Sequence, residues 1–371
     1  PFVVLMGFLS QAGGLSSDTF RTLRLWIGKL RGGLAIASAA ACTLFGALCS
    51  SALVTAAVFA QLSAPEMRRQ GYDKKLSYAV CSSAGTIGML IPPSILMVVY
   101  GVLANESIGK LLIGGISPGV ALFVIFSIGI VVMVSRKPSL APIADIAPTW
   151  RQRFKSLRSL WGVAVAIGII FGGIFTGTFS PSEAGAIACI VLLIMFLTSK
   201  HRSWQGLKTC MHQTASTSAM VYLILIGAGI FSRFLTLSTI APKFLGFIVG
   251  LDLSPTGFLA ISAIIYVILG CFLDSISMLT ITIPLLHPAA LALGIDQIHF
   301  AMVTILAIHV GLITPPLGLN IYAVKGVAEP DVSLEELFSG VVPFLFMMLI
   351  CLAFFIAIPT LSTWLPAHMI G

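Results

Sequence analysis

Long apolar runs dominate the chain, and short polar or proline-rich breaks cut them into pieces of unequal length. The runs show no strict alternation, so they predict helices rather than the strands of a membrane barrel. The pattern places helical segments at about 1–12, 33–48, 52–64, 76–90, 94–104, 111–135, 158–178, 184–199, 214–235, 255–271, 275–293, 299–312, 317–326 and 337–358. A crossing helix needs roughly 20 apolar residues. Several segments meet that length, and the short ones come in pairs. Residues 201–213 are too polar to span and are placed along the membrane interface.

Residues 33–48 and 52–64 are split at Cys49-Ser50-Ser51, and 255–271 and 275–293 at Phe272-Leu273-Asp274. Each pair is expected to form a re-entrant hairpin that enters and leaves on one face. Segments 76–104 and 299–326 are expected to cross as helices broken by Pro92-Pro93 and Pro315-Pro316. A proline lacks the N–H and clashes with the preceding turn. Each doublet therefore frees carbonyls, over Gly88–Pro93 and over Gly311–Pro316. Such backbone survives at membrane depth only where protein or a watered cavity satisfies it.

The interruptions recur. Pro92 and Pro315 lie 223 positions apart, and the same ungapped offset relates Pro65 to Pro288, Gly71 to Gly294, Asp73 to Asp296 and Gly88 to Gly311. It also brings one hairpin tip onto the other. Two repeats are expected, 1–135 and 158–366, joined by a cytoplasmic linker at 136–157 that holds three prolines and a basic cluster. Broken segments at matching places in two repeats point to a transporter's binding site. Pro1 already lies in an apolar run, so the first repeat is expected to lack part of a span.

Charge supports an inversion of the second repeat. Arg21, Arg24, Lys29 and Arg31 precede the first hairpin, and Arg68, Arg69, Lys74 and Lys75 follow it. The matching flank at 291–298 holds only Asp296. Basic loops stay in the cytoplasm. Five crossings between the flanks then put the second hairpin on the opposite face, and leave the acidic loop Glu329–Glu336 inside as a mild misfit.

Composition narrows the class. The chain is 58% hydrophobic and 9% charged, where a soluble domain carries about 25% charged residues. An all-α polytopic membrane protein fits, with the lipid bilayer as partner. The net charge of +8 sits in short loops, so no nucleic-acid partner is expected. Seven scattered cysteines form no CxxC pair, and His287, His299 and His309 have no metal spacing. Neither a nucleophile–base arrangement nor a phosphate-binding GxxxxGK[ST] loop is present, which argues against an enzyme. Transport would draw on an ion gradient or on an ATPase in another chain.

The candidate chemistry lies at the breaks. Freed carbonyls with nearby hydroxyls make oxygen cages suited to Na⁺, completed by Ser50 and Ser51 at one tip and by Asp274 and Ser275 at the other. A carboxylate inside the membrane costs about 2.5–3.5 kcal/mol, so Asp274 needs a cation or strong donors. It also suits the N-terminal cap of the following helix. Arg233, near the end of a long apolar segment, can clamp a substrate carboxylate or extend to the interface. Ser94 and Asn320, close to the double prolines, are further candidates for substrate contact. No cofactor is expected beyond a coupling ion.

The runs PEMRRQGYDKKLS, SSAGTIGMLIPPSILMVVYGVLANESIGKLLIGGISPG, ALGIDQIHF and LITPPLGLNIYAVKGVA resemble the large membrane (M) subunit of the tripartite ATP-independent periplasmic (TRAP) transporters. The resemblance covers Pro1 to about Pro366. It implies an inverted-repeat, elevator-type secondary transporter of the bacterial inner membrane, with two re-entrant hairpins and two broken transmembrane helices. It implies Na⁺-coupled uptake of an organic acid, a small membrane (Q) subunit and a periplasmic substrate-binding protein. It carries the Na⁺ sites onto Ser50 and Ser51 with Gly88, Ile91 and Pro93, and onto Asp274 and Ser275 with Gly311, Thr314 and Pro316. The family's first tip is often Ser-Gly-Ser, whereas Cys49-Ser50-Ser51 stands here. Two other readings remain: a stand-alone ion-driven organic anion transporter of related build, and a membrane enzyme using Asp274 and a histidine, which lacks a paired-aspartate motif.

Overall fold

A computed structural model describes residues 1–142 and 149–369, and among them the regular structure is helical throughout. The first part holds α1 (Phe2–Ala12), α2 (Leu15–Ile27), the pair α3 (Gly33–Cys49) and α4 (Ala52–Leu62), and the short α5 (Ala64–Arg69). The first broken helix follows as α6 (Lys74–Ile87) and α7 (Ile95–Ala104), then α8 (Ile108–Gly114) and α9 (Ile116–Arg136). Next come α10 (Trp150–Leu157), α11 (Trp161–Phe175), α12 (Pro181–Thr198), α13 (Trp204–Leu237) and α14 (Ile240–Gly250). The second hairpin is α15 (Pro255–Gly270) and α16 (Ser275–Ala292), and the second broken helix is α17 (Gln297–Gly311) and α18 (Leu319–Lys325). The described chain closes with α19 (Leu334–Ala357) and α20 (Thr360–Ala367).

Six helical stretches among the described residues are long and apolar enough to cross a membrane: Ile108–Arg136, Trp150–Phe175, Pro181–Thr198, Trp204–Leu237, Ser275–Ala292 and Leu334–Ala357. Their exposed apolar side chains, such as Ile128, Ile190, Ile226 and Phe346, are those a lipid environment requires. Inside this shell, α6 and α17 are buried nearly all round. In α17 every residue after Gln297 is buried, the mark of a helix at the centre of a core.

The 223-residue offset has a local meaning. Gly71 and Gly294 both adopt positive φ, at 80° and 75°, a conformation that glycine enters without cost. Two residues later Asp73 and Asp296 cap the broken helices. Asp73 Oδ1 accepts from Leu76 N at 3.0 Å and Asp296 Oδ1 from His299 N at 2.9 Å. Each carboxylate satisfies an orphan helix donor.

The halves interlock. Hairpin helix α4 packs on α6 of its own repeat and on α18 of the other, while α16 packs on α7. Asn320 Nδ2 donates to the Ser82 carbonyl across the same seam, at 3.1 Å.

Three expectations need correction. Within 201–213, residues 204–213 are not a segment of their own, because they continue into α13. At about 1.5 Å per residue this 34-residue helix is about 51 Å long, and its polar start overshoots a hydrocarbon core of about 30 Å. The segment 136–157 is not merely a connector. Its residues 143–148 lie outside the described residues, but α10 has a capping box between Thr149 and Gln152 and docks on α2. There the Thr22 hydroxyl donates to the Ser156 carbonyl, and Phe154 meets Trp26 edge-on. Finally, α2, α5, α14 and α20 fall outside the segments read from apolar runs.

Candidate functional site: two hairpin tips on two broken helices

The double prolines open both broken helices. Pro92 and Pro93 cannot return N–H bonds to Gly88 and Met89, nor Pro315 and Pro316 to Gly311 and Leu312. The Pro92-Pro93 and Pro315-Pro316 bonds are both cis. Each hairpin then reaches its broken helix in the same two ways.

The first contact is backbone on backbone. A Cβ on Gly46 would come within 2.8 Å of Gly88 Cα, and one on Gly270 or Gly311 within 2.7 Å of the other's Cα. Only glycine permits that approach. The second is a hydrogen bond from tip to break. Ser50, at φ 52°, turns its hydroxyl to the Pro93 carbonyl at 2.6 Å, and the Cys271 thiol reaches the Pro315 carbonyl at 3.3 Å.

The predicted residues divide accordingly. Ser50 reaches Pro93 at the first tip, and Gly88 meets Gly46 a turn before it. Ser51 sits beside them as the cap of α4, accepting from Val54 N at 3.4 Å. Ile91 lies in the break and is half-buried. The Gly88 carbonyl accepts no backbone N–H among the described residues, whereas the Gly311 carbonyl accepts from Thr314 N at 3.0 Å. At the second tip Asp274 caps α16, taking Ile276 N at 3.0 Å, Ser277 N at 3.2 Å and the Ser277 hydroxyl. Ser275 is buried beside it. Thr314 bonds back to Val310 at 2.7 Å, and Pro315 and Pro316 are exposed.

Ser94 is buried and caps α7, accepting from Met97 N at 3.4 Å. Asn320 is also buried; its amide holds Ser82, and its Oδ1 has no hydrogen-bond partner. Thr55 Oγ1 on α4 and Ser83 Oγ on α6 are buried orphans as well. Buried polar atoms without partners are rare and point to a water or an ion. Arg233 is exposed and has no ion pair among the described residues. Its helix, α13, touches both α7 and α16.

A cavity of about 300 Å³ opens beside the first break, lined by Pro93, Ile95, Val98, Ser182, Ser218 and Tyr222 among others. Its lining is almost wholly apolar and includes the orphan hydroxyl of Ser218. No charged side chain lines it, so it offers a carboxylate no counter-charge.

Sequence reading missed the glycine partners Gly46 and Gly270. A signal existed: each lies on the first hairpin helix, within one turn of the tip, under a break that itself begins at glycine.

Five long apolar stretches around two hairpins and two opened helices, with α16 of the second hairpin as a sixth, define a multi-pass membrane protein of the transporter class. The chain belongs to the family of the tripartite ATP-independent periplasmic transporter, DctM component, whose model matches residues 1–361. It is 31% identical to the C4-dicarboxylate TRAP transporter large permease protein DctM of Vibrio cholerae, covering 100% of this chain and 85% of that one. It is 30% identical to the sialic acid TRAP transporter large permease protein SiaM of the same species, over 100% and 86% of the two chains. The ectoine large permease TeaC of Halomonas elongata is 30% identical, over 98% and 84%. Among solved structures, the YdaH transporter of Alcanivorax borkumensis has the same fold, with a TM-score of 0.63 at 17% identity, covering 98% of this chain and 84% of that one.

Proposed function

We propose that this permease subunit takes up an organic acid across the bacterial inner membrane, driven by Na⁺ bound at the two tip-and-break sites. The observation that carries the reading is the doubled contact, Ser50 on Pro93 and Cys271 on Pro315, each beside a Gly–Gly approach. It sets a hairpin tip against each of the two breaks that free carbonyls, and such carbonyls are what unwound helices offer to Na⁺. Ser50, Ser51, Gly88, Ile91 and Pro93 supply the first site. Asp274, Ser275, Gly311, Thr314 and Pro316 supply the second.

The relatives named for C4-dicarboxylates and sialic acid handle carboxylates, which supports an organic acid here. Arg233, with Ser94 and Asn320 near the breaks, is assigned to its recognition. Arg233 lies outside the cavity of the present arrangement, so the hairpin unit must move relative to α13 for the two to meet. This is an elevator motion, in which the hairpins and broken helices shift against the crossing helices. Na⁺ would neutralise Asp274 before that shift, because an unpaired carboxylate is costly in the membrane. A small membrane subunit and a periplasmic binding protein complete the system, consistent with a three-part family. The two hairpins open to opposite faces, with the basic flank of the first in the cytoplasm.

The test separates the two roles of Asp274. Asn caps a helix about as well as Asp, so Asp274→Asn should keep the thermal stability of the purified protein in choline chloride. It should lose the stabilisation by NaCl that wild type shows, about 2.7 kcal/mol at 100 times the dissociation constant. Equal unfolding temperatures of wild type in NaCl and choline chloride would sink the sodium sites.

A further inference from the structure

The hairpins are tied to the opposite repeat by two pairs of charged or titratable groups whose acidic members obey the same 223-residue offset. Glu106, just after α7, corresponds to Glu329, just after α18. Glu329 receives Arg68, which follows the first hairpin. Arg68 also grips Asp331 at 2.8 and 3.0 Å, and Lys74 holds Glu336 at 2.8 Å. Glu106 receives His287, inside the second hairpin. His287 Nε2 lies 3.4 Å from Glu106 Oε1, within ion-pair reach yet outside hydrogen-bond geometry. On its other side Nδ1 meets the Tyr100 hydroxyl at 3.0 Å. All three groups are enclosed: the Glu106 and His287 side chains are 11% and 6% exposed, and Tyr100 is fully buried.

We propose that Tyr100, His287 and Glu106 form a proton-binding site that fastens the second hairpin to α7, the titratable counterpart of the permanent Arg68 clasp on the first. This goes beyond the sodium sites and uses none of their residues. With a neutral ring, the tyrosine O–H donates to Nδ1, and Nε2 faces the carboxylate without charge. One proton makes the ring an imidazolium. Both nitrogens then donate, to Tyr100 Oη and to Glu106 Oε1, and the loose 3.4 Å contact becomes a charge-assisted bond. Histidine alone among side chains makes this change around neutral pH when unperturbed.

The surroundings favour a proton at the carboxyl end of the site. Burial first, then the charge of Asp296, raise the pKa of Glu106, and Lys110 opposes them. A raised carboxyl favours the fold at low pH and loses that contribution as pH rises through its folded value. From α17, His299 is engaged with the Ser362 hydroxyl, and from α15 the Tyr266 hydroxyl takes the Thr282 hydroxyl. On α13 and α14, Arg233 and Lys243 are exposed.

Amide hydrogen exchange of the purified full chain in detergent tests the site, after correction for intrinsic rates. Between pH 8.5 and 5.5, peptides from α16 should gain protection about tenfold, the equivalent of one pK unit. Peptides from α5 and the start of α6, beside Arg68, should not change. Glu106→Gln and His287→Gln should each abolish the α16 slope. His287→Arg should hold α16 protected at every pH, which loss of packing alone would not do. If His287→Gln fails to fold, Glu106→Gln decides. A flat wild-type profile, or a slope that survives Glu106→Gln, would overturn the proposal.

Discussion

The two breaks share a backbone and differ in chemistry. Both have the double proline, the Gly–Gly contact and a tip bonded to a proline carbonyl. The first break is buried at Pro92, Pro93 and Ser94, while Pro315, Pro316 and Leu317 of the second are exposed. The first tip is capped by neutral Ser51, the second by charged Asp274. What the repeats hold in common is therefore what brings a hairpin to an opened helix. What they vary is charge and access, the properties that can make one half carry a different load from the other.

The largest expected effect falls on the shared part. Gly46→Ala and Gly270→Ala each force two helices apart, at a cost of about 1–3 kcal/mol as for other overpacked sites. That exceeds the gain of up to about 1 kcal/mol in helix propensity. Thermal unfolding should show similar losses for both; a loss at only one would break the equivalence of the halves.

The next effect separates the clasps. Arg68→Ala removes the partner of Glu329 and leaves Asp331 only the more distant Lys74, in a solvent-screened network, so a small loss of stability should follow. Its pH dependence has a definite sign. The bond to Arg68 lowers the pKa of Asp331, and Lys74 lowers that of Glu336. Their contribution stands above the unfolded carboxylate value of about 4 and vanishes as pH falls through their folded values. Wild type and Arg68→Ala should therefore converge only in acid, below about pH 4, as unfolding scans at stepped pH would reveal.

The smallest effect comes from making the tips alike. Cys271→Ser replaces a weak thiol donor with a hydroxyl toward Pro315, as Ser50 already provides toward Pro93. Stability should rise by no more than about 1 kcal/mol. A fall would mean that the sulfur is there for its bulk.

Much of this was legible because helix breakers are local. The double prolines, the polar tips and the Gly-x-Asp starts of the broken helices each announce themselves within a few residues. The α2 segment was not legible, since LSSDTFRTLRLWI buries only Leu15, Thr19, Phe20 and Thr22 and never forms an apolar run. Residues 204–213 misled for the opposite reason. Their polarity excludes them from hydrocarbon but not from a helix that outlasts it. The acidic loop Glu329–Glu336, which the charge pattern leaves as a misfit, finds its reason in Arg68 and Lys74, more than 250 positions away. No local pattern encodes that pairing. The offset did place Glu106 opposite Glu329, so the second clasp could have been sought from the sequence.

The contact of Gly46 with Gly88, and of Gly270 with Gly311, has a consequence for how such a chain can diverge. Two backbones touching have no side chains between them to drift. The spacing of tip and break is thus inherited as geometry, whatever happens to the residues around it. Selection is left free to rework tips, caps and linings, so one mechanical frame can be refitted to many cargoes.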